Sequence, residues 1–512
     1  MRTSREGTAL YRARRVLSQL FRTKGIDRLV GQAGGDSSLK RVLGPASLIA
    51  LGVGAIIGTG IFATIGTASA GDPGRPGAGP ALVLSFVLTA VVCGFTALCY
   101  AEFASMVPVA GSAYTYAYAT LGELVAWIVG WDLLLEYAIG NTAVAISWGN
   151  YMAALLEGFG VHVPRWLVVD YRTAARTPEL LSHAPHLFGV PIVFNALAVA
   201  IVTVVTIVLV WGVKESARFN AVMVAIKIAV LAFFVLVSTK FVRPENWQPF
   251  APNGLAGVGA GAAVVFFAYI GFDAVSTCAE ECKNPARDMP VGIIGSLIAC
   301  TLVYVVVAAV FSGLIPYAEL VKLDEAQRAE ALTVAMKHVS MPSWMVGVVA
   351  FGSVVAQTAV LLVFQLGQPR ILFAMARDGF LPPFFARVHP RFRTPHTSTI
   401  ATGILVGAVS ALANIDEMVD LTNIGTLFAF ILVCAGIIVM RIREPERARP
   451  FRVPLGTWLV PSLGVLFCLV LVAYLPRSSW FRFGGWLVAG LVVYACYGFR
   501  HSRLRPENQR RS

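Results

Sequence analysis

Long apolar runs separated by short polar loops dominate this chain. Twelve of the runs are long enough for a helix to cross the roughly 30 Å of bilayer hydrocarbon. We therefore predict twelve membrane-spanning helices, at residues 46–70, 80–104, 123–157, 191–213, 219–239, 258–279, 290–315, 344–375, 397–415, 421–441, 455–475 and 484–500. The third and eighth runs exceed a perpendicular crossing, so we expect those helices to be tilted or to extend beyond the bilayer.

The composition agrees with an all-α polytopic membrane protein. Hydrophobic residues make up 57% of the chain, charged residues make up 13%, and the mean hydropathy is +0.72, whereas soluble domains carry about 25% charged residues. The net charge of +13 could suggest a nucleic-acid partner. Because the basic residues lie in short loops and tails between apolar runs, we predict contact with the lipid bilayer and no nucleic-acid partner.

The distribution of lysine and arginine predicts the orientation in the membrane. With the N-terminus inside, 29 of the 41 basic residues face the cytoplasm and 11 face the outside, and the remaining one, Lys227, lies within a span. Cytoplasmic loops carry such an excess of basic residues. We therefore expect a multi-pass protein of the cell membrane with both termini in the cytoplasm.

Residues 1–45 form a basic segment before the first span. Leu10, Leu17, Leu20 and Phe21 share one helical face, which predicts an amphipathic helix lying on the anionic inner leaflet. A disordered basic tail is the alternative interpretation.

The first span is unusually rich in glycine at mid-depth. Residues 52–62 read GVGAIIGTGIF, and each glycine weakens a helix interior by roughly 1 kcal/mol relative to alanine. An opened backbone is tolerated within a membrane where it faces protein or a water-filled cavity. We predict a helix interrupted at Gly58–Gly60 that presents free N–H and C=O groups to a small charged ligand. Close helix packing through Gly54 and Gly58 is the alternative.

The sixth span carries a second weak point. Residues 263–281 read AVVFFAYIGFDAVSTCAEE and are interrupted by Gly271 and Asp273. Spans one and six are five apart and cross in opposite directions, and such paired weak points are typical of an inverted-repeat transporter. We predict five-span repeats at 46–240 and 258–441, two peripheral spans within 455–500, and a cytoplasmic tail at 501–512.

Ionisable residues inside the predicted spans are candidates for function, because burying them in a membrane is costly. Lys227 lies about 10 Å into span five at helical rise, and is interpreted as a proton-linked amine or a fixed cation. The alternative is a side chain that snorkels to the interface. Asp132 and Glu136 share a face of span three, and each either lines a pathway or hydrogen-bonds to a neighbouring helix. Asp273 is interpreted as a structural or gating carboxylate.

No motif points to an enzyme, a metal site or an organic cofactor. The chain has no HExxH, no GxSxG and no cluster of intramembrane histidines. Cys278 and Cys282 lack a nearby histidine or a second CxxC, which argues against a metal centre.

Seven segments between about Leu39 and Arg500 carry a resemblance to a known family. They read LKRVLGP (39–45), GAIIGTGIF (54–62), CYAEFASMVPVAGSAYTYAY (99–118), GWDLLLEYAIG (130–140), FFAYIGFDAVSTCAEECKNPARDMPVGI (266–293), GQPRILFAMARDGFLP (367–382) and RPFRVP (449–454). Together they resemble the amino acid–polyamine–organocation superfamily, specifically bacterial-type permeases of its cationic amino acid transporter family. The resemblance implies a LeuT-type fold, with helices one and six broken, and proton-linked amino acid transport.

The resemblance also implies a substrate site. In the family the substrate amino group meets backbone carbonyls at the two breaks. Those carbonyls match Ile56, Ile57, Phe267, Ala268 and Ile270. The substrate carboxylate meets backbone N–H groups that match Gly58, Thr59 and Gly60. This polarity agrees with helix-end electrostatics, since N-termini favour anions and C-termini favour cations.

Two side chains complete the expected site. The family's span-five lysine matches Lys227, which is expected to bridge Gly54 of span one and span eight, where Thr358 is the expected partner. The segment QTAV (357–360) departs from the two adjacent hydroxyls frequent in the family. Glu136 is the candidate contact for a cationic substrate side chain.

We therefore expect a secondary active transporter that moves cationic or small neutral L-amino acids with protons by alternating access. An amino acid exchanger without net proton movement is the alternative. A sodium-coupled symporter is disfavoured because Lys227 would occupy the space of the sodium ion. A channel is disfavoured because five-plus-five repeats favour a carrier. No cofactor is expected, and an accessory subunit is neither predicted nor excluded.

Overall fold

The protein is represented by a computed structural model that describes residues 19–25, 42–107, 112–175, 178–212, 217–392, 394–503 and 505. Most of the predicted amphipathic segment at 1–45, including Leu10 and Leu17, lies outside the described residues. Most of the predicted tail at 501–512 also lies outside them.

Twenty α-helices make up most of the described chain. In chain order they are α1 (Pro45–Ile56), α2 (Thr59–Ala70), α3 (Leu82–Met106), α4 (Ser112–Thr120), α5 (Glu123–Gly158), α6 (Tyr171–Ala175), α7 (Pro178–His183), α8 (Ala196–Trp211), α9 (Ala217–Ser238), α10 (Gly254–Val265), α11 (Pro285–Leu314), α12 (Tyr317–Leu320), α13 (Glu325–Ala329), α14 (Ala331–His338), α15 (Ser343–Arg377), α16 (His396–Leu412), α17 (Ile415–Arg443), α18 (Leu459–Ala473), α19 (Arg477–Val493) and α20 (Phe499–His501).

Shorter elements fill the connections. Two antiparallel hairpins pair β1 (Gly71–Asp72) with β2 (Arg75–Pro76) and β3 (His186–Leu187) with β4 (Val190–Pro191). The remaining turns of helix are the 3-10 segments Gly79–Ala81, Arg165–Leu167, Thr239–Phe241, Pro244–Trp247, Phe266–Tyr269, Asp273–Glu281 and Pro383–Ala386, and the π segment Tyr494–Gly498.

Seven helices of the described chain are long and apolar enough to cross a membrane, and the bent pair α1 and α2 would be an eighth. The seven are Gly79–Met106, Ala221–Phe241, Gly254–Ser276, Pro285–Leu314, Ser343–Arg377, Ile415–Arg443 and Arg477–His501. The other four predicted spans correspond to α5, which runs for 36 residues, and to the shorter apolar helices α8, α16 and α18. For these four, spanning stays a prediction from the sequence pattern.

The long helices pack in pairs around the interrupted spans. Helix α3 packs against α11, α5 against α15, and α8 against α16. Each pair joins predicted spans that are five apart, namely two with seven, three with eight and four with nine. Contact between such counterparts is what two inverted repeats around a shared centre would produce.

A buried ion pair joins α3 to α17. Arg441 donates from Nε to Oε1 of Glu102 at 2.9 Å, and its Nη2 pairs with Oε2. The N–H of Val453 donates to Glu102 at 2.7 Å, and Arg441 also donates to the carbonyl of Gly456 at 2.7 Å. Removing one partner would leave a buried charge unpaired, so Glu102 is a structural carboxylate that holds the segment RPFRVP (449–454) in place.

Candidate substrate-binding site

The first span is interrupted between α1 and α2. Helix α1 ends at Ile56 and α2 begins at Thr59, with Gly58 extended between them at φ −167°, and the two half-helices are bent by 46°. The last carbonyls of a helix lack donors and its first N–H groups lack acceptors. The carbonyl end of α1 and the N–H groups of Thr59 and Gly60 therefore lie side by side, and the surrounding residues are buried.

The sixth span unwinds more gradually. Helix α10 ends at Val265, the chain continues as a 3-10 turn to Tyr269, and a second 3-10 segment begins at Asp273. Between them Gly271 has φ +123°, a conformation that L side chains rarely adopt. Oδ1 of Asp273 accepts a hydrogen bond from the N–H of Gly271 at 3.2 Å. Asp273 therefore satisfies a backbone donor that the interruption releases.

The two breaks are in direct backbone contact. A Cβ atom on Gly60 would lie 2.1 Å from Cα of Ala268, and one on Gly271 would lie 2.8 Å from the carbonyl oxygen of Ala55. Real Cβ atoms do not approach this closely, so glycine at both positions permits the contact. The backbone groups that the resemblance assigns to the substrate all lie within a few residues of it.

A tyrosine from a third span bridges the two breaks. The hydroxyl oxygen of Tyr304 in α11 lies 2.9 Å from the carbonyl of Ile56 and 2.9 Å from the carbonyl of Ala268. Its single hydrogen can serve one of these acceptors at a time. These are two of the carbonyls that the sequence assigns to the substrate amino group, so a donor from the protein lies where an ammonium is expected.

Lys227 in α9 is fully buried and contacts the span-one break. Its Nζ donates to the carbonyl of Gly54 at 2.7 Å, and this is its one hydrogen bond with the described residues. Thr358 instead donates to the carbonyl of Val354 at 2.7 Å and accepts a hydrogen bond from the indole N–H of Trp148 at 2.9 Å. Thr358 is therefore bonded to α5 and to its own helix, which corrects its predicted pairing with Lys227.

Helix α15 contacts the span-one break through Gln357 and Val360. The hydroxyl of Thr59 donates to Oε1 of Gln357 at 3.4 Å, and a Cβ atom on Gly58 would lie 2.4 Å from Cγ2 of Val360. Nε2 of Gln357 is buried and has no partner among the described residues. Such a group costs about 1–3 kcal/mol, so the amide of Gln357 is available to a polar ligand.

The carboxylates of α5 occupy different surroundings. Glu136 lies beside the hydroxyl of Thr426 in α17 and within electrostatic range of Asp273. Asp132, one turn earlier, is buried, and neither of its oxygens has a hydrogen-bond partner in the described part of the chain. Oδ1 of Asp132 lies 2.8 Å from where a Cβ atom of Gly425 would be. Of the two interpretations of Asp132, a hydrogen bond to a neighbouring helix is therefore not found among the described residues.

Comparison with known proteins identifies the family. A model of the family described as amino acid permease matches residues 43–491. The chain belongs to the amino acid permease family. This places it in the amino acid–polyamine–organocation superfamily, as its sequence segments indicated.

Three relatives of this permease show the range of its similarity. It is 45% identical to the branched-chain amino acid permease BcaP of Bacillus subtilis, over 95% of this chain and 99% of that protein. It is 42% identical to the methylthioribose transporter of the same organism, over 95% and 100%. It is 36% identical to the vacuolar cationic amino acid transporter 4 of Arabidopsis thaliana, over 84% and 68%. The permease is therefore an amino acid transporter by family and not an enzyme.

Two residues of the candidate site were not predicted from the sequence. Tyr304 is a tyrosine within an apolar run, and such residues are common as simple packing. Its position opposite two broken spans appears only when α11 is placed against them. Gln357 was noted only as a departure from the family pattern, although an amide in the middle of a long apolar span is itself a signal for function.

Proposed function

We propose that this permease is a proton-coupled secondary active transporter of L-amino acids. It would work by alternating access within a LeuT-type fold of twelve spans, in the cell membrane, with both termini in the cytoplasm. The observation that carries the proposal is the meeting of two broken spans at Tyr304. Carbonyls from both breaks face one donor there, and the N–H groups of Thr59 and Gly60 begin a helix beside them.

This geometry fits the backbone of a free amino acid. An ammonium group carries several donors and would replace the single hydroxyl hydrogen of Tyr304 at the carbonyls of Ile56 and Ala268. A carboxylate would take the N–H groups at the positive end of α2. Phe267 and Ile270 would border the bound molecule from span six. Neither contact reads the substrate side chain, so the backbone site serves the whole class of L-amino acids.

Lys227 would couple protons to the change of access. Its bond to the carbonyl of Gly54 ties α9 to α1, the half-helix that must move when the site opens. A protonated amine donates to that carbonyl more strongly than a neutral one, so binding and release of the proton would shift the balance between access states. We expect uptake to rise as external pH falls and to need no sodium.

The test of coupling is uptake into proteoliposomes with an imposed proton gradient, with and without sodium. Lys227→Ala should lose gradient-driven accumulation, while counterflow of labelled substrate persists at a reduced rate. Lys227→Arg should keep the charge without releasing it, because arginine holds its proton. If the alanine variant still concentrates substrate, the coupling site lies elsewhere, with Glu136 the next candidate.

Exchange without net proton movement is the alternative mechanism. In that case wild-type vesicles would show counterflow but no accumulation under a proton gradient. The same preparation therefore separates the two mechanisms, because counterflow requires only the substrate site.

The substrate can be identified by measuring which compounds compete with uptake of a labelled substrate. The names of its relatives cover branched-chain and cationic amino acids and methylthioribose, so the twenty amino acids and methylthioribose should each be tested against uptake of a labelled substrate. Glu136→Gln should weaken arginine and lysine more than alanine, because an unpaired buried cation costs several kcal/mol. Equal losses for both classes would make Glu136 a structural carboxylate.

A further inference from the structure

Beyond the C-terminal end of α2, buried charges join the first span to α17. Arg75 in β2, whose side chain is 5% exposed, lies 2.6 Å from a carboxylate oxygen of Asp72 and 2.6 Å from one of Asp420. Thr67 of α2 donates to Oδ1 of Asp416 at 2.9 Å. These contacts close the end of the molecule that the proposed orientation places outside.

Helix α13 packs over the same end of α2. Arg328 donates to the carbonyl of Gly71 at 2.5 Å, and a Cβ atom on Gly66 of α2 would lie 2.2 Å from the carbonyl oxygen of Arg328. Helix α13 therefore lies in backbone contact with α2. Contacts that fix Glu325, the first residue of α13, therefore also keep α13 packed over the end of α2.

Glu325 is tied to two other elements. Its Oε1 accepts a hydrogen bond from Nδ2 of Asn414, the residue before α17. Its Oε2 lies 3.2 Å from the hydroxyl of Thr173 in α6. We call Glu325, Asn414 and Thr173 the outer latch, because they join α13 to α17 and α6.

Every contact of the outer latch has one donor and one acceptor when Glu325 carries a proton. Thr173 has one hydroxyl hydrogen and lies 2.5 Å from Oδ2 of Asp170, so this shorter contact takes that hydrogen. The contact of Thr173 with Oε2 of Glu325 is then a hydrogen bond only if Glu325 donates. Asn414 cannot accept the proton of Glu325 instead. Its Oδ1 already accepts the N–H of Glu417 at 3.2 Å, which turns its Nδ2 toward Oε1 of Glu325 as a donor.

The charges around Glu325 favour the same state. Burial, with the negative charges of Asp416 in α17 and Asp170 before α6, raises the pKa of Glu325 to about 8. The guanidinium of Arg328, on its own helix, opposes this shift but is outweighed. A bond donated by Thr173 would oppose it too, but the hydrogen of Thr173 goes to Asp170. Two carboxylates thus face Glu325 across the latch and one cation lies beside it.

We propose that Glu325 is an external proton switch that keeps the outer entrance closed when protonated and releases it when ionised. The proposal rests on the orientation given under the proposed function, which places α13 outside. An ionised Glu325 would lose its donor bond to Thr173 and repel Asp170 and Asp416, so α13 would separate from α17 and α6 and free the end of α2.

The direction of the pH effect follows from the raised pKa. In an open state Glu325 is hydrated and has its ordinary pKa of 4.5, against about 8 when closed. The proton therefore stabilises the closed form fully below the ordinary value, and this stabilisation is lost as the outside pH rises through about 8. Closing takes a proton from the outer solution and reopening returns it there, so the switch cannot drive accumulation. It slows opening at low outside pH and so opposes the rise in uptake expected from Lys227.

The experiment measures opening from outside. Ala331 in α14 is buried and its Cβ lies against Gly66 of α2, so Ala331→Cys reports separation of α2 from its cover. Labelling by a membrane-impermeant maleimide is measured in proteoliposomes at outside pH 5.5–9 with the inside held at pH 7. The protein without the reporter gives the background from its native cysteines. We expect labelling of the reporter protein to rise by up to about tenfold per pH unit below pH 8.

Glu325→Gln supplies the decisive variant, because the amide keeps an acceptor for Asn414 and a permanent donor for Thr173. In the reporter background it should label slowly at every outside pH. Glu319→Gln is the matched control, an exposed acid of the same outer region paired with Lys322, and it should label like the reporter protein alone. A pH-dependent rise that survives Glu325→Gln, or that follows the inside pH, would overturn the proposal.

A second variant, Thr173→Val, tests the proposal independently in case Glu325→Gln fails to fold. Thr173→Val removes the acceptor of the Glu325 proton, so the pH at which labelling rises should fall by at least one unit. An unchanged midpoint would refute the switch. Labelling does not depend on transport, so a permease that takes up no amino acid would disprove the proposed function while these measurements still decide the switch.

Discussion

Span one and span six are both interrupted at the candidate site, but in different ways. Span one consists of two regular helices, α1 and α2, that meet at a 46° bend. Span six passes through 3-10 turns around Gly271, whose N–H is already satisfied by Asp273. Only span one therefore offers a helix start with free N–H groups, whereas both spans offer carbonyls.

Under the proposed function, this difference gives the two spans different parts in binding a zwitterion. A carboxylate needs clustered N–H donors, and the candidates are those of Thr59 and Gly60. An ammonium needs several acceptors, and the candidates are the carbonyls of Ile56 and Ala268 together. Loss of span-one geometry should therefore abolish binding, whereas changes in span six should weaken it.

The largest effect is expected from Gly60→Leu. The new Cβ would lie 2.1 Å from Cα of Ala268, and since backbone cannot rotate away, the two breaks must separate. Binding of labelled substrate in a scintillation proximity assay should be lost while the protein still elutes as a single species. Gly94→Leu in α3, where a Cβ meets nothing within 4 Å, is the control that should bind normally. Retained affinity in folded Gly60→Leu would refute this placement of the site.

A pair of alanine variants compares the two breaks directly. Gly271→Ala forces a side chain into φ +123°, at a cost on the order of 1–3 kcal/mol, and its Cβ meets the backbone of Ala55. Gly58→Ala occupies extended backbone at φ −167°, and within 4 Å its Cβ meets side-chain atoms of Val360 and no backbone atom. Thermal unfolding should show the larger loss of stability for Gly271→Ala. Equal losses would contradict the view that span six needs glycine at 271 for its backbone conformation, whereas span one needs glycine at 58 because a side chain would contact Val360.

Tyr304→Phe tests the bridge between the breaks. Removing the hydroxyl leaves the carbonyls of Ile56 and Ala268 without a donor in the empty protein, which costs about 1 kcal/mol. Substrate no longer competes with the hydroxyl, so affinity should rise about fivefold while the return of the empty carrier slows. Counterflow should then be preserved and net uptake reduced. A weaker affinity would instead make the hydroxyl a direct ligand of the substrate.

The smallest effect is expected from Phe267→Ala. Phe267 is buried in the first 3-10 turn of span six, and its ring would close over a bound substrate without contacting its charged groups. We expect a several-fold higher apparent KM for uptake, with expression reduced less. Only part of the roughly 1.5–3 kcal/mol that a buried apolar side chain contributes would come from contact with the substrate. Unchanged kinetics would mean that the ring only packs against neighbouring helices.

Features of the candidate site could be predicted from the sequence where a residue type conflicts with its surroundings. Glycines at mid-depth located both interruptions, because they violate the rule that a membrane helix keeps its backbone bonded. A lone lysine in an apolar run pointed to Lys227, and its bond to Gly54 follows once a span-one carbonyl is free. These are local conflicts between residue type and environment, and they can be seen without coordinates.

The remaining features depend on helix rotation, which the sequence does not give. Thr358 was predicted to face Lys227, but α15 turns its hydroxyl toward Trp148 instead. A hydrogen bond to a neighbouring helix was one of two interpretations of Asp132, yet its carboxylate lies against Gly425, which has no side chain. Tyr304 reaches the breaks because of the angle at which α11 crosses them. Each outcome was decided by tertiary placement and not by the residue itself.

The ion pair between Glu102 and Arg441 has a consequence for how the chain is made. Its members are 339 residues apart, so at 5–20 residues per second Glu102 waits roughly 20–70 s for its partner to be synthesised. Until then the membrane-inserted nascent chain carries Glu102 without its partner. We expect quality-control proteases to recognise this unpaired acid. We expect a chain truncated after α16 to be degraded faster than the same chain with Glu102→Gln, as measured by pulse-chase, while in the full-length protein the order reverses. The pairing of Glu102 in α3 thus depends on completion of α17.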